Sequence, residues 1–417
     1  MRWLRCAISS APVEIIDGDR GKEYPKQTDF QESGYCLFLN TGNVRQDGFD
    51  FSNCQFVSEG KDRRLRKGKL TREDLVMTTR GTIGNVAYFD ENVPYEQIRI
   101  NSGMVVFRTD RTRLLPAFLY HFFRSSDFVG QTNSLKSGAA QPQLPIRDIK
   151  QIEIPLPNIP TQQRITSILS TYDDLIENNR RRMALLEDAA RQVYQEWFVR
   201  LRFPGREHTR IVEGVPEGWR KVTLGSITTK IGSGFTPRGG DASYSTEGIT
   251  LIRSLNVYND QFEENGLAFI NEDQAAGLAN VTVLSRDILL NITGASVTRC
   301  CMAPERYLPA RVNQHVMIIR CNPTFADPFF AHAAINSDER KRQLISFAQK
   351  GSTREALTKE MVTNFDIVLP TDQIMRQYGE FAEVAFMQRE NLAFQNQKLR
   401  AARDLLLPKL MSGEIAV

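Results

Sequence analysis

With 417 residues the chain is too long for one ordinary hydrophobic core, so two or three domains are expected. Its 41% hydrophobic and 24% charged composition, with 27 Gly and 18 Pro, excludes collagen-like and wholly disordered chains. A net charge of +4 permits a nucleic-acid partner without requiring one. No apolar run approaches the roughly eighteen residues of a membrane span, and the start MRWLRC lacks a signal-like apolar stretch, so a cytoplasmic protein is expected.

In chain order, short β-like runs such as YCLFLN, NVAYFD and GMVVFR, broken by Gly, Asn and Pro, mark a first α+β globule. Within it KDRRLRKGKLTR (61–72) carries Lys61, Arg63, Arg64, Arg66, Lys67, Lys69 and Arg72 against the single acid Asp62. Phosphate binding is the natural use of such a run, a solvated charged face the alternative. Two loops of small polar residues follow, TTRGTIGN (78–85) and SLKSGAAQPQ (134–143). The globule closes at the Pro-marked strand IEIPLPNIP (152–160).

From Thr161 to about Phe198 there is no Pro or Gly, and apolar residues recur at alternating steps of four and three. The positions are Ile165, Leu169, Tyr172, Ile176, Asn179, Met183, Leu186, Ala190, Val193 and Trp197, a heptad seam with Asn179 as its one polar member. At about 1.5 Å per residue such a helix spans roughly 55 Å, so it must protrude or bridge. After a linker comes a second globule with ITLIRSLNV and QHVMIIR, two more polar loops, TGASVTR (293–299) and QKGSTREA (349–356), and a closing strand FDIVLP. A second seam then reads Ile374, Tyr378, Phe381, Ala385, Gln388, Leu392, Gln395, Leu399, Ala402 and Leu406, ending at Pro408.

The chain repeats itself once. LTREDLVMTTRGTIG (70–84) lies over VLSRDILLNITGASV (283–297) at a shift of 213, and NSGMVVFR (101–108) over NQHVMIIR (313–320) at 212. SGAAQPQLPIRDIKQIEIPLP (137–157) lies over KGSTREALTKEMVTNFDIVLP (350–370), again at 213. One offset held across half the chain implies a tandem pair of domains rather than a solenoid. The expected partition is 1–157, a helix over 158–200, a linker over 201–218, 219–370, a helix over 371–412 and a tail over 413–417. Equivalent helices after equivalent globules close most simply as an antiparallel coiled coil with pseudo-two-fold symmetry. Each helix folding back on its own globule is the alternative.

No catalytic constellation is visible: there is no G-x-x-x-x-G-K-[ST], no H-E-x-x-H and no G-x-S-x-G. Asn322-Pro323-Thr324-Phe325 lacks the second proline of an amino-methyltransferase loop, and Glu59-Gly60-Lys61 lacks the acidic context of a nuclease metal site. The six cysteines form no C-x-x-C pair and the four histidines are scattered, so neither zinc nor disulfides are expected. A non-catalytic protein that binds no cofactor or metal of its own is the expectation. Gly-rich turns carrying Arg, Lys, Gln and Thr suit DNA, because the backbone can approach phosphates while Arg reads guanine and Gln reads adenine. From chemistry and repeat position the DNA-contacting candidates are Arg63, Arg64, Arg66, Lys67, Arg80, Lys136, Gln141 and Gln143 in the first half, and Arg238, Arg253, Arg299, Lys350, Thr353 and Arg354 in the second.

The stretch IPLPNIPTQQRITSILSTYDDLIENNRRRMALLEDAARQVYQEWF (154–198) resembles the central conserved region of the DNA-specificity subunits of type I restriction-modification systems. LRAARDLLLPKLMSGEI (399–415) resembles their distal conserved region, and VPEGWRKVTLGSI (215–227) the opening of a second target-recognition domain. The resemblance covers essentially the whole chain, although the first globule lacks the P-x-G-W lead-in that VPEGW supplies to the second. It implies that each globule reads one half of a bipartite, asymmetric site on double-stranded DNA while the helices set the spacer between halves. It further implies two methyltransferase subunits bringing S-adenosylmethionine, docked on the helix seam residues above, and restriction subunits using ATP and Mg²⁺. A stand-alone DNA methyltransferase or nuclease, and a scaffold that binds only proteins, are the alternatives.

Overall fold

The computed structural model describes residues 3–135, 142–237, 239–349, 355–415 and 417. The chain divides into two compact units, Met1–Asn178 with Gln395–Val417, and Asn179–Phe394. Each long helix is therefore divided between the units, where the sequence had given the helices segments of their own.

In the first unit, an antiparallel sheet has the order Val13–Asp17, Met104–Thr109, Leu75–Thr78, Val86–Tyr88. Side chains alternate across a strand, and here both faces are covered. Leu75, Met77, Val105 and Phe107 meet Phe118, Phe122 and Phe128 of the helices Pro116–Phe123 and Ser126–Leu135. Val76, Met104 and Val106 face the other way, onto Leu37, Leu39, Ile98 and Ile100 of a second sheet. That sheet joins Cys36–Leu39 in parallel to Ile98–Ile100 and antiparallel to Phe56–Val57. The N-terminal strand Arg5–Ala7, for which the sequence offered no lead-in motif, pairs with Glu153–Pro155.

The second unit repeats this plan. Thr228–Ser233, Val316–Cys321, Ile288–Asn291 and Cys300–Met302 form the equivalent four-stranded sheet, with Ile249–Ile252 parallel to Ala310–Val312 beneath it. Ile288, Leu290, Met317 and Ile319 pack toward Phe329 and Phe330, whereas Leu289, Val316 and Ile318 face Leu251 and Val312. Arg220–Thr223 pairs with Asp366–Leu369 behind Trp219, which is buried on Phe203.

The first long helix runs Ile159–Tyr194 and the second Asp372–Ser412. Within the first unit Ile165 and Leu169 share a core with Leu407, Leu410 and Met411. There Arg403 meets Asp173 at 2.5 Å, and Asn396 Nδ2 donates to the Ile176 carbonyl at 3.2 Å, so the two segments run antiparallel. Within the second unit Arg389 lies 3.3 Å from Glu187 and the Tyr378 hydroxyl donates to the Ala190 carbonyl at 3.3 Å, again antiparallel.

Three details correct the expected seams. Along the second helix the buried residues include Ile374, Met375, Tyr378, Ala382, Ala385, Leu392, Asn396, Leu407, Leu410 and Met411. Phe381, Gln388 and Gln395 sit beside this stripe and are exposed, because burying two glutamine amides there would strip them of water. The seam, read as ending at Pro408, goes on to Leu410 and Met411, which are buried in the core beyond it, so the helix passes through Pro408 to Ser412, the bound expected for it. In the first helix Tyr194 is buried where Val193 is only half-buried, and a π-helical turn follows over Gln195–Val199, within which Trp197 is half-buried. Ile165, Leu169, Ile176 and Asn179 are buried, and Tyr172, Met183, Leu186, Leu399 and Leu406 are half-buried.

Among the described residues no helix is long and apolar enough to cross a membrane. Cys36, Cys300, Cys301 and Cys321 are buried free thiols, and burial pushes Cys36 up to about 12, while Cys6 and Cys54 are half-buried.

Candidate nucleic-acid interface

The basic run of the first unit is bolted to the fold from beneath. Ser58 caps the short helix Glu59–Arg64 by accepting from the Lys61 amide, and Asp62 turns inward. Arg99, buried on Ile98–Ile100, donates to Asp62 Oδ1 at 2.5 Å and to the carbonyls of Asp62, Leu65 and Lys67 at 2.9, 3.0 and 2.8 Å. Asp19 accepts from the Arg66 amide at 2.6 Å. Burial opposes the charge of Asp62, but Lys69 and Arg99 outweigh it and hold its carboxyl below the usual range.

Much of the run's charge is thereby neutralised at home. Lys61 is buried beside Asp29 at 3.2 Å, Lys69 pairs with Asp62 at 2.6 Å, and Arg72 pairs with Glu96 while stacking 4.3 Å over Phe89. Arg63 and Arg64, both exposed, meet Glu59 at 2.7 Å and Glu23 at 3.3 Å. Arg66 and Lys67 are exposed and have no ion-pair partner among the described residues. A rigid backbone presenting these two cations is suited to phosphate contacts.

The polar loops, read separately in the sequence, meet in each unit. In the first, Arg80 and Gln143 form an antiparallel bridge, and the Leu144 amide donates to the Thr79 carbonyl at 3.0 Å. Gly81 and Gly84 take φ of 70° and 88°, which lets the turn fold back tightly. In the second, Thr293 and Ala356 form the equivalent bridge, and the Leu357 amide donates to the Ile292 carbonyl at 2.8 Å. All four positions correspond at the shift of 213.

Arg80 is exposed and Gln143 half-buried. Arg299 is half-buried with its guanidinium 4.4 Å over the ring of Tyr258. Arg253 donates to the Gly266 carbonyl at 2.6 Å and lies 5.1 Å over Tyr244, so it also braces its own loop. Lys136, Gln141, Arg238, Lys350, Thr353 and Arg354 fall outside the described residues.

A polar group that the sequence reading passed over adjoins the second bridge. Thr293 Oγ1 lies 2.6 Å from His315 Nδ1, His315 Nε2 lies 3.1 Å from Gln314 Nε2, and the Thr236 hydroxyl donates to Gln314 Oε1. In the first unit Gly103 stands where His315 stands, and a Cβ there would come 3.9 Å from Cβ of Arg80. The signal was present in the repeat: NSGMVVFR and NQHVMIIR share their first Asn and last Arg and differ in kind at Ser-Gly against Gln-His.

A family profile described as type I restriction modification DNA specificity domain matches residues 13–188. The chain is 24% identical over 385 residues to the specificity subunit of the type I restriction enzyme MjaIX of Methanocaldococcus jannaschii, covering 88% of this chain and 85% of that one. It is 20% identical over 460 residues to the HindI specificity subunit of Haemophilus influenzae, covering 95% and 98%. The crystal structure of a type I restriction-modification S subunit from M. genitalium shares the fold, with a TM-score of 0.61 at 16% identity over 99% of this chain and 96% of that one.

Proposed function

This chain is a homologue of the specificity subunits of type I restriction-modification enzymes, and from that premise we propose that each of its two units reads one half of a bipartite, asymmetric site on double-stranded DNA. The observation that carries this reading is the pair of equivalent loop bridges, Arg80 with Gln143 and Thr293 with Ala356. One backbone arrangement, built twice, offers different side chains to base edges, as reading two different half-sites requires. Rigid phosphate contacts from Arg66 and Lys67 fix register without adding sequence information.

The long helices act as the spacer ruler and as the dock for two methyltransferase subunits. Phe381, Val384 and Met387 support this, being 41%, 56% and 45% exposed along the second helix within the second unit. Apolar residues so placed are suited to cover by a partner. The chain itself performs no chemistry in this reading. S-adenosylmethionine belongs to the methyltransferase subunits, which flip out the target adenines, and ATP and Mg²⁺ belong to the restriction subunits, all in the cytoplasm.

Co-expression with a methyltransferase subunit, followed by single-molecule mapping of methylated adenines, tests the reading. The expected result is a gapped two-part motif of which only one half changes when residues 1–157 are exchanged for those of a relative. Methylation independent of this chain would favour a protein scaffold, and methylation by this chain alone would mean an active site of its own.

A further inference from the structure

Exposed glutamines ordinarily sample many rotamers in water, and immobilising one costs free energy that a binding site gains by settling it beforehand. Gln314 is exposed yet tied at both ends of its amide, to Thr236 through Oε1 and to His315 through Nε2. We propose that Gln314 is a base-reading residue of the second unit and recognises the major-groove edge of an adenine, with His315 as its positioning residue. The proposal rests on the reading of the bridged loops as facing DNA.

The hydrogen bonding decides what the amide offers. Gln314 Nε2 can only donate, so His315 Nε2 accepts from it. His315 Nδ1 then carries the ring proton and donates to Thr293 Oγ1 at 2.6 Å. The ring is held from below by the Asx turn in which Asn313 Oδ1 accepts from the His315 amide at 3.0 Å. One N–H of Gln314 and one lone pair of its Oε1 remain for a ligand. That donor and acceptor pair matches N7 and N6–H₂ of adenine.

The first unit builds the same Asx turn, with Asn101 Oδ1 accepting from the Gly103 amide at 2.9 Å, but places Ser102 and Gly103 there. Its bridge residue is Arg80 where the second unit has Thr293, and a guanidinium suits the two acceptors of guanine. At one place in the fold the reading side chain thus comes from the loop in one unit and from the strand turn in the other.

The test uses the complex with its methyltransferase subunit and maps methylated motifs for Gln314→Ala and His315→Ala, alongside the chimaera exchanged over 1–157. Gln314→Ala is expected to lose preference for adenine at one position of one half-site, roughly tenfold or more, leaving the other half intact. His315→Ala should relax the same position by less. Gln314 is exposed, so its variant is expected to fold as the parent does, which a melting curve checks. An unchanged motif for Gln314→Ala, or equal weakening of both halves, overturns the assignment. A chimaera whose motif stays whole overturns instead the half-site reading on which it stands.

Discussion

Arg108 clasps Asp74 through two hydrogen bonds, from Nε at 3.0 Å and from Nη2 at 2.7 Å, and Asp74 in turn accepts from the Thr71 amide at 2.8 Å. Arg320 and Asp287 reproduce this in the second unit, at 2.7 Å for both bonds, with the Leu284 amide donating at 2.8 Å. Each carboxylate is buried at the mouth of the central strand of its sheet. Charge-assisted pairs of this geometry are worth about 1.5–3 kcal/mol each, more than neutral ones. Asp287→Ala is therefore expected to destabilise the protein by about 2–3 kcal/mol, read from urea unfolding, and Asp74→Ala by a similar amount. A loss below about 0.5 kcal/mol for both would remove the clasp from the account of the fold.

Arg99 ties three carbonyls and a carboxylate of the basic segment, so Arg99→Met should leave Asp62 buried with Lys69 as its remaining partner. Breaking such a pair costs about 3 kcal/mol or more. Lys67→Ala, by contrast, touches no internal partner and should leave stability unchanged. In salt titrations of DNA binding it should weaken all sequences alike and reduce the salt slope by about one. Altered base preference in Lys67→Ala would contradict a phosphate role.

His121 is buried in the first unit with Ser170 Oγ at 3.3 Å, beside Asp173, Arg124 and Arg403. Burial pushes its pKa down to about 4, against the attraction of Asp173. Burial also opposes the charge of Asp173, but Arg124 and Arg403 prevail and keep its carboxyl below the usual range. Since the folded state resists protonating His121, the unfolded chain takes up a proton first as pH falls. Stability from this group is whole above about pH 6.5 and declines toward pH 4, by about 3 kcal/mol at most. Unfolding of His121→Gln compared with the parent across that window should show a shallower slope for the variant. Parallel slopes would mean the ring is not held neutral.

Gly379 lies in the second long helix, where alanine ordinarily stabilises by about 1 kcal/mol. Here a Cβ would run into the carboxyl of Asp327, and that carboxylate caps the helix Pro328–Asn336 by accepting from the Phe329 and Phe330 amides. Gly379→Ala should reverse the usual sign and lower stability by about 1–3 kcal/mol. Thermal melting decides it, and a raised midpoint would refute the close approach.

Phe381 and Val384 are exposed in the second unit, so replacing both with Ser should leave the melting temperature within a degree or two. Association with the methyltransferase subunit should weaken about tenfold or more, measured by titration. Unchanged association would move the dock elsewhere.

The duplication, the two helices and the buried faces were legible because they rest on local periodicity and on strings that recur at one offset. Asp74 and Asp287, Arg108 and Arg320 align in the sequence, and their clasp follows from the alignment once the strands pair. The phase of the second seam was not legible, because Phe381 and Ala382 are adjacent and hydropathy alone prefers the larger residue, whereas the close contacts of the helix admit the smaller.

The sequence by itself determined what is periodic or repeated: two α+β units, two long helices, and loops equivalent in pairs. Only the tertiary structure decided which charges are free, since Lys61, Lys69 and Arg72 look like Arg66 and Lys67 until Asp29, Asp62 and Glu96 are brought to them from distant or inward-facing positions. It also decided that Arg80 meets Gln143 and that Thr236, Thr293, Gln314 and His315 converge. Hydrogen bonds act over about 3 Å, and residues tens of positions apart reach that distance only when the sheets have packed.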